Sequence, residues 1–316
     1  MSTSSYQPLE VTTGINDLPK LILRQTDGSS AEVYLYGAHV TSLKNEEGKE
    51  ILFVSSKAIF DPPKEIHGGI SIRFSLSPDK DTPGAHVSAA NSTWDMDTNA
   101  SSPADVATGV FVDLVLKPTE QEYLRLRRHR FEYRLRVALR RGGELVLTSR
   151  IKNTNSDGRP FKFTCGYPAY FSVSDISDIR VEGLETLNYL DNLKNGERYT
   201  ENGEALTFES EVDKVYLSTP TKLAIVDHKK SRTYVIRKDA QLPDAVVWNP
   251  WDKKAKAMAD FGNDEYKHML CAGAARMENP ITLKPGDEWI ARQELSAVNS
   301  SYCNGQHQPK LIIHVM

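Results

Sequence analysis

The sequence predicts a single all-β domain built as a sandwich of sheets, and three observations support this. Short segments rich in β-branched residues recur along the chain, Gly, Asp, Asn and Pro punctuate them, and helical periodicity is scarce. Many short strands with frequent turns are typical of sandwiches. No linker and no change in composition interrupts this pattern, so we expect one domain.

The strands are predicted where β-branched and aromatic residues lie between turn residues. Segment 130–139 alternates apolar residues such as Phe131 with charged residues such as Arg134, which indicates one buried and one charged face. The Gly-Gly pair at 142–143 predicts a hairpin turn after it, and 255–261 is predicted to form one short turn of helix. The other predicted strands are 20–25, 31–35, 51–54, 109–116, 145–151, 161–171, 179–181, 214–217, 223–226, 233–237 and 245–248.

Composition and charge favour a small-molecule ligand over a nucleic acid or a membrane. The 316 residues are 39% hydrophobic, enough for a full core, and the formal net charge is −3 with a pI near 6.3. Neither value suggests a nucleic acid or an anionic membrane as partner. The most basic segment, 125–141, follows strand alternation, so we interpret its arginines as a solvated face rather than a nucleic-acid site.

The location and the boundaries of the domain are also expectations from the sequence. The first residues lack a basic segment followed by an apolar run, and no apolar stretch approaches the roughly 20 residues that span a bilayer. The three cysteines have neither a disulfide framework nor metal-ligand spacing. We expect a cytoplasmic monomer or weak homodimer, with a polar segment at 1–18, the β-sandwich domain at 19–300 and a tail at 301–316.

Six long segments carry a family resemblance: Tyr36-Gly-Ala-His-Val-Thr-Ser, Val173-Ser-Asp-Ile-Ser, Val181-Glu-Gly-Leu-Glu-Thr-Leu, Phe208-Glu-Ser-Glu-Val-Asp-Lys-Val-Tyr, Leu242-Pro-Asp-Ala-Val-Val-Trp-Asn-Pro-Trp and Ala257-Met-Ala-Asp-Phe. Through them the chain resembles the glucose-6-phosphate 1-epimerase family, the hexose-phosphate branch of the galactose mutarotase-like (aldose 1-epimerase) superfamily, and most closely its plant members. The resemblance covers nearly all of the chain. It implies a galactose mutarotase-like β-supersandwich with no metal and no organic cofactor.

The resemblance also implies a chemistry. In this family a Glu removes the proton of the C1 hydroxyl while a His protonates the ring oxygen, so that the ring opens and closes again as the other anomer. A second His and an Asp bind the sugar. Arginines hold the 6-phosphate, to which they donate pairs of hydrogen bonds.

Four of these family positions are replaced in this sequence. The acid position, within Cys165-Gly-Tyr-Pro-Ala-Tyr-Phe, is Pro168, and the base position, within Cys271-Ala-Gly-Ala-Ala, is Gly273. The two phosphate-binding arginines are replaced by His67 and Ala90. Proline and glycine carry no ionisable side chain, so neither can transfer a proton.

Two family positions are kept, and with the new histidine they form the predicted catalytic set. The second His is His86 and the Asp is Asp213. His67 is either a proton shuttle near neutral pH or a filler for the lost arginine, while His86 and Asp213 either act on the ligand or are relics.

Four further residues are predicted to bind the ligand: Arg73, Tyr167, Trp248 and Gly273. Three of them have a structural alternative. Arg73 either contacts the ligand or reaches solvent, Tyr167 either lines the pocket or belongs to the core, and Trp248 either forms an aromatic wall or packs at the rim or core. Gly273 removes bulk from the pocket, which should be roomier and more apolar than a sugar-phosphate site.

Changes concentrated in the pocket predict a diverged protein rather than a decayed one. The main hypothesis is a repurposed isomerase or cyclase that gives acid/base assistance to a small non-phosphorylated metabolite of hemiaminal, imine or aldehyde type. On this hypothesis ordinary hexose-6-phosphate 1-epimerase activity is doubtful. Two alternatives are a retained glucose-6-phosphate 1-epimerase and a non-catalytic protein that binds a carbohydrate or metabolite.

Overall fold

The computed structural model describes residues 6–76, 89–98, 109–125 and 129–299. Within these ranges it has short strands joined by turns, two short α-helices, and 3-10 turns at Ile15–Asp17, Ala89–Asn91, Arg141–Gly143, Ile176–Asp178, Asn192–Lys194 and Glu265–His268. The helices are α1 Glu120–Arg125 and α2 Trp251–Ala257. The strands are β1 Leu9–Thr13, β2 Pro19–Arg24, β3 Ser30–Tyr34, β4 His39–Lys44, β5 Arg73–Leu76, β6 Asp95–Met96, β7 Gly109–Leu116, β8 Phe131–Arg140, β9 Leu145–Asn153, β10 Phe161–Gly166, β11 Ala169–Ser172, β12 Ile179–Glu182, β13 Asn188–Asp191, β14 Glu197–Thr200, β15 Val212–Tyr216, β16 Lys222–Asp227, β17 Arg232–Lys238, β18 Asp244–Asn249, β19 Met269–Leu283 and β20 Glu288–Asn299.

These strands form three sheets. The first has the order β1-β2-β3-β4, the second β14-β13-β15-β18-β19-β10-β5 with β11 also paired to β19, and the third β12-β16-β17-β20-β9-β8-β7-β6. All the ladders between these strands are antiparallel, as two representative pairs show, β8 with β9 and β18 with β19. The structure therefore confirms the all-β class.

The second and third sheets pack face to face, and the hydrophobic core lies between them. Aromatic side chains bridge the two layers with ring centroids 5.1 to 5.4 Å apart, in the pairs Phe74 with Tyr133, Phe163 with Trp289, and Phe171 with Tyr234. The first sheet covers one end of this core, where Gln25 of its loop donates to the Leu139 carbonyl of β8 at 2.9 Å. Because successive side chains of a strand alternate, each bridging residue leaves its neighbours on the other face.

Strand β8 shows the predicted alternation along its whole length, with every second residue buried from Phe131 onward. The arginines on its other face are paired with carboxylates. Arg136 donates to both oxygens of Asp113 at 2.7 and 2.6 Å, and Arg134 pairs with Glu132. These ion pairs support the interpretation of a solvated, charged face.

Several elements differ from the sequence prediction. Segment 161–171 is split into β10 and β11 because Pro168 cannot donate to the ladder. The predicted strand at 51–54 makes only isolated bridges, through Leu52 and Val54. The short helix lies at Trp251–Ala257 rather than at 255–261.

Strand β19 is the main element that the sequence pattern missed. It runs for 15 residues and begins Met269-Leu-Cys-Ala-Gly-Ala-Ala, a composition with little strand propensity. It forms because seven consecutive residues are buried in the middle of the second sheet, so that tertiary packing outweighs propensity.

The predicted boundaries at 18/19 and 300/301 stay predictions, although β1 within the first segment pairs with β2. The tail at 301–316 lies outside the described residues. No helix in the described ranges is long and apolar enough to cross a membrane.

Candidate active site

A cavity of about 460 Å³ lies on the second sheet, on the face turned away from the core. This follows from alternation: Phe74, Phe163 and Phe171 pack toward the third sheet, so their neighbours Arg73, Thr164 and Tyr170 face the other way. The size suits a small organic ligand. Residues that line the cavity include Glu65, Arg73, Pro168, Tyr170, Val246, Trp248, Cys271 and Met277.

Strand register places four residues in one row across the second sheet, and three of them, Trp248, Cys271 and Tyr170, line the cavity. Asp213 is directly opposite Trp248, Trp248 is opposite Cys271, and Cys271 is opposite Tyr170. Directly paired residues of antiparallel strands project to the same face. Two residues along these strands, Val246 is opposite Gly273, so Gly273, the predicted base position, lies on the same face as the cavity.

Gly273 and Pro168, the predicted base and acid positions, are in contact with each other. A β-carbon built on Gly273 would lie 2.0 Å from the Tyr167 carbonyl oxygen and 2.9 Å from the Pro168 α-carbon. The backbone at 167–168 therefore occupies the space that a side chain at 273 would need. The two replacements form one structural change, and a glutamate at 273 does not fit this backbone.

A buried glutamine completes the hydrogen bonding where β10 ends and β11 begins. Gln293 of β20 is fully buried; its amide nitrogen donates to the Tyr167 carbonyl at 3.2 Å, and its oxygen accepts from the Ala274 amide at 2.6 Å. Tyr167 in turn donates its own amide to Ala274 at 2.9 Å. Gln293 thus fixes the backbone on both sides of the Gly273–Pro168 contact.

His67 lies against the cavity wall and is paired with an acid that the sequence prediction did not include. Its Nδ1 is 3.2 Å from Asp260 Oδ2, and its ring centroid lies 5.0 to 6.0 Å from the rings of Phe261, Tyr170 and Trp248. Tyr170 and Trp248 themselves line the cavity. The Nε2 atom of His67 is buried and has no hydrogen-bond partner among the described residues.

A close approach of backbones holds His67 in place. Gly68 and Gly69 have φ values of 123° and 63°, and β-carbons on them would lie 2.5 Å from the Phe53 carbonyl and 2.2 Å from the Val40 carbonyl, so only glycine fits. His39 is buried beneath them, with its Nε2 2.7 Å from the Gly68 carbonyl. Burial, with smaller effects of Arg73 and His67, lowers the pKa of His39 to about 4. His39 is therefore neutral at pH 7 and donates this bond from Nε2.

Arg73 is the cation at the cavity. Its guanidinium pairs with Glu65 at 2.6 and 2.9 Å and donates to Ser71 Oγ at 3.2 Å, while 45% of its side chain is exposed. The structure therefore brings Arg73 to both solvent and cavity. Because Ser71 Oγ binds the Nε end of the guanidinium, Arg73 is positioned to donate to an anionic group of a ligand.

The other predicted site residues are distributed unevenly. Asp213 is part-exposed, accepts from Asn192 at 2.8 Å and lies 4.0 Å from Lys254 Nζ. Tyr167 is wholly buried in the core, so the structure does not bring its side chain to the cavity. Ala90 is buried with its carbonyl against Gly37. His86 lies outside the described residues.

The thiol of Cys271 is protonated and therefore a poor nucleophile at neutral pH. Cys271 lines the cavity, and burial raises the pKa of its thiol to about 12, so it is a neutral thiol at pH 7. Among the described residues no group of three or more His, Cys, Asp or Glu side chains could hold a metal ion.

Some site residues were missed by the sequence prediction. Tyr170 had a usable signal, because it lies two residues after Pro168 and shares its strand face. Asp260 and Gln293 had none, since their partners His67 and Tyr167 are far away in sequence.

Comparisons with known proteins give a consistent family. A family model described as "Aldose 1-epimerase" matches residues 19–296. A protein of Cenchrus ciliaris described as "Putative glucose-6-phosphate 1-epimerase" is 58% identical over 301 residues, which is 94% of this chain and 90% of that protein. A protein of Escherichia coli K12 with the same description is 26% identical over 248 residues, 78% of this chain and 79% of that one.

Solved structures share the fold at low sequence identity. A mutarotase-like protein from Salmonella typhimurium, titled a "putative mutarotase", superimposes with a TM-score of 0.76 at 22% identity, covering 92% of this chain and 97% of that one. Galactose 1-epimerase from Lactobacillus acidophilus gives a TM-score of 0.69 at 12% identity, covering 93% and 99%. These likenesses confirm the galactose mutarotase-like fold.

The comparisons contradict the main functional hypothesis from the sequence. The expectation of a repurposed isomerase or cyclase for a non-phosphorylated metabolite was wrong, because a relative 58% identical over nearly the whole chain is described by an activity on a sugar phosphate. That hypothesis took the changes at Pro168 and Gly273 as a sign of a different ligand. The relatives favour the alternative of a retained glucose-6-phosphate 1-epimerase.

Proposed function

Because this chain belongs to the aldose 1-epimerase family, we propose that it interconverts the α and β anomers of an aldohexose 6-phosphate such as glucose 6-phosphate. The family consists of isomerase-type enzymes. What we propose beyond this is the substrate and the residues that bind it and transfer protons. The observation that carries it is the 58% identity, over 94% of the chain, to a relative described as acting on that compound. The geometry of the cavity supports it in three ways.

The first support is a cation at the cavity. Arg73 lines it with a part-exposed guanidinium, and its partner Glu65 is itself part-exposed at the rim. A phosphate dianion attracts the guanidinium more strongly than one carboxylate does and can accept two parallel N–H donors. Arg73 then binds the phosphate in place of the two arginines that the family resemblance implies at the positions of His67 and Ala90.

The second support is a surface that fits a sugar ring. Trp248 offers an apolar ring in the floor of the cavity, against which the C–H face of a sugar packs. Asp213 is the next residue in the same cross-strand row and carries a part-exposed carboxylate that accepts from hydroxyl groups. Sugar and phosphate thus meet opposite sides of one cavity.

The third support concerns proton transfer, which does not have to come from the side chains at 168 and 273. Neither residue transfers a proton, yet the chemistry needs only a group that accepts the C1 hydroxyl proton and a donor to the ring oxygen. Both oxygens are bonded to the same carbon, so a single titratable group beside the cavity is within reach of both. The proposed function therefore does not require an ionisable side chain at Gly273 or Pro168.

Proton magnetisation exchange between the α and β anomeric signals of glucose 6-phosphate tests the proposal. Catalytic amounts of the protein should raise the exchange rate above that of buffer, and unphosphorylated glucose should respond much less because it lacks the group that Arg73 holds. Exchange equal to that of the buffer, or equal for both sugars, contradicts the proposal. Binding of glucose 6-phosphate without added exchange assigns the chain to non-catalytic binding instead.

Replacement of Arg73 tests the phosphate contact. Arg73→Leu should raise the KM for glucose 6-phosphate about 10- to 100-fold, because a charge-assisted pair contributes about 1.5–3 kcal/mol. Arg150→Leu is the matched control, since Arg150 is similarly exposed at 49% but lies on the third sheet, paired with Glu288. An unchanged KM in Arg73→Leu excludes this residue from phosphate binding.

A further inference from the structure

The buried ring nitrogen of His67 is the polar atom of the site that most needs an explanation. Nε2 of His67 is covered and has no hydrogen-bond partner among the described residues. A buried polar atom without a partner destabilises the folded protein. Such a group beside a cavity points to a functional role.

Asp260 determines which nitrogen of the His67 ring carries the proton. The carboxylate lies 3.2 Å from Nδ1, and a carboxylate only accepts hydrogen bonds, so Nδ1 carries the proton. In the neutral ring Nε2 then holds a lone pair and is a proton acceptor. Asp260 also stabilises the imidazolium that forms when Nε2 takes up a proton.

The position of the ring joins it to the cavity. His67 packs against Tyr170 and Trp248, two of the side chains that line the cavity, and against Phe261 on its other side. Nε2 is covered in this conformation, so a local rearrangement around the ring has to expose it before a sugar can reach it. Among the described residues, the titratable groups that interact with the ring are Asp260, Tyr170 and neutral His39 beneath Gly68; Arg73 acts on His39.

We propose that His67 and Asp260 form the proton-transfer dyad of the site, with His67 as the catalytic residue and Asp260 as the positioning residue that fixes its tautomer. This inference rests on the proposed function. It gives the reaction the acid/base group that Pro168 and Gly273 cannot supply, and it uses a residue at a position where the family holds the phosphate.

One nitrogen, Nε2 of His67, both accepts and returns the proton in this reaction. His67 Nε2 accepts the proton of the C1 hydroxyl as the bond between C1 and the ring oxygen breaks, and the resulting imidazolium gives the same proton to the ring oxygen. C1 becomes the open-chain aldehyde and rotates about its bond to C2. The reverse steps close the ring as the other anomer, with no net gain or loss of protons.

Loss of the imidazole and its return from solution give the first test. His67→Ala should lower kcat for anomer exchange of glucose 6-phosphate by about 10²- to 10⁴-fold, the range of general acid–base catalysis. Added imidazole should restore part of the loss, which a purely structural defect would not show. His228→Ala is the matched control, because His228 is exposed in the turn between β16 and β17, and it should exchange like the wild type.

The positioning role of Asp260 has its own readout. Asp260→Asn should lower kcat about tenfold or more with little change in KM, and Asp260→Glu should recover part of kcat. Nitrogen-15 chemical shifts should show the Nδ1-protonated ring in the wild type, with Nε2 shifting when glucose 6-phosphate is added. Far-ultraviolet circular dichroism and thermal unfolding identify any variant that fails to fold.

The outcomes separate the dyad from the function. Exchange by the wild type together with undiminished exchange by His67→Ala overturns the dyad and leaves the function standing. A wild type that does not accelerate exchange overturns the function, and the dyad with it. If the wild type is active but Nε2 does not shift with substrate, the dyad is also overturned.

Discussion

At the scale of single residues, the site is determined by a contact between two positions that lack functional groups. Gly273 and Pro168 look like independent losses in the sequence. In the structure, the backbone at 167–168 fills the volume above Gly273, with the Tyr167 carbonyl 2.0 Å from where a β-carbon would be. A base at 273 and the present path of the backbone at 168 are therefore incompatible.

A substitution at Gly273 tests this contact. Gly273→Ala should lower the free energy of unfolding by about 1–3 kcal/mol, the usual cost of overpacking a rigid site. Gly166→Ala is the control on the neighbouring strand, where a β-carbon meets its nearest atoms at 3.2 to 3.3 Å and the cost should be smaller. Urea unfolding of both variants gives the comparison, and equal midpoints contradict the predicted clash.

At the scale of elements, the important feature is the break between β10 and β11. β19 pairs with both strands, and the register with β10 shifts between Phe163 and Cys165. The side chain of Gln293, from the third sheet, replaces the backbone partners that this break removes. One buried amide thus connects the two packed sheets directly below the site.

Replacement of Gln293 should be costly for this reason. Gln293→Leu keeps the volume but leaves the Ala274 amide and the Tyr167 carbonyl without these bonds, at about 1–3 kcal/mol for each buried group. Gln241→Leu is the control, because Gln241 is exposed and its side chain accepts one bond, from Trp289 Nε1, while its backbone bonds are unaffected by the change; its effect should stay within about 0.5 kcal/mol. A Gln293→Leu protein as stable as this control would show that the amide is not needed.

At the scale of the whole molecule, the cavity and the core use opposite faces of the same sheet. The face with Phe74, Phe163 and Phe171 packs against the third sheet and stabilises the fold. The other face is left to the ligand, since alternation separates the two sets of side chains. The pocket can therefore change while the core stays intact.

The pH dependence of global stability provides a prediction at this scale. His39 has a folded pKa of about 4 against an ordinary value of 6.5, so between these values the unfolded chain binds the extra proton. This contribution is fully present above pH 6.5 and is lost as the pH falls toward 4. Between pH 7 and 4.5 the wild type should lose about 2–3 kcal/mol more than His39→Gln, which keeps a donor for the Gly68 carbonyl.

Urea unfolding at several pH values checks this difference directly. Other groups that titrate in the same range contribute equally to both proteins, so the difference between the two curves isolates His39. Parallel curves would mean that His39 is already protonated in the folded protein or that it is accessible to water.

The sequence by itself determined the class of fold. Alternation in β8 predicts a buried face because the side chains of a strand point to opposite sides, and this needs no knowledge of the partner strand. The assignment of Pro168 and Gly273 to the acid and base positions of the family stays a prediction from the resemblance. The ligand could not be inferred from the residues at these two positions, and the inference of a non-phosphorylated substrate was wrong.

Only the tertiary structure decided which residues act together. His67 meets Asp260, and Gln293 meets Tyr167, across 193 and 126 positions of the chain, and no local pattern encodes such contacts. The same is true of β19, whose Ala- and Gly-rich start forms a strand because it is buried between β18 and the pair β10 and β11. Local rules act over a few residues, whereas the site is assembled by packing between strands distant in sequence.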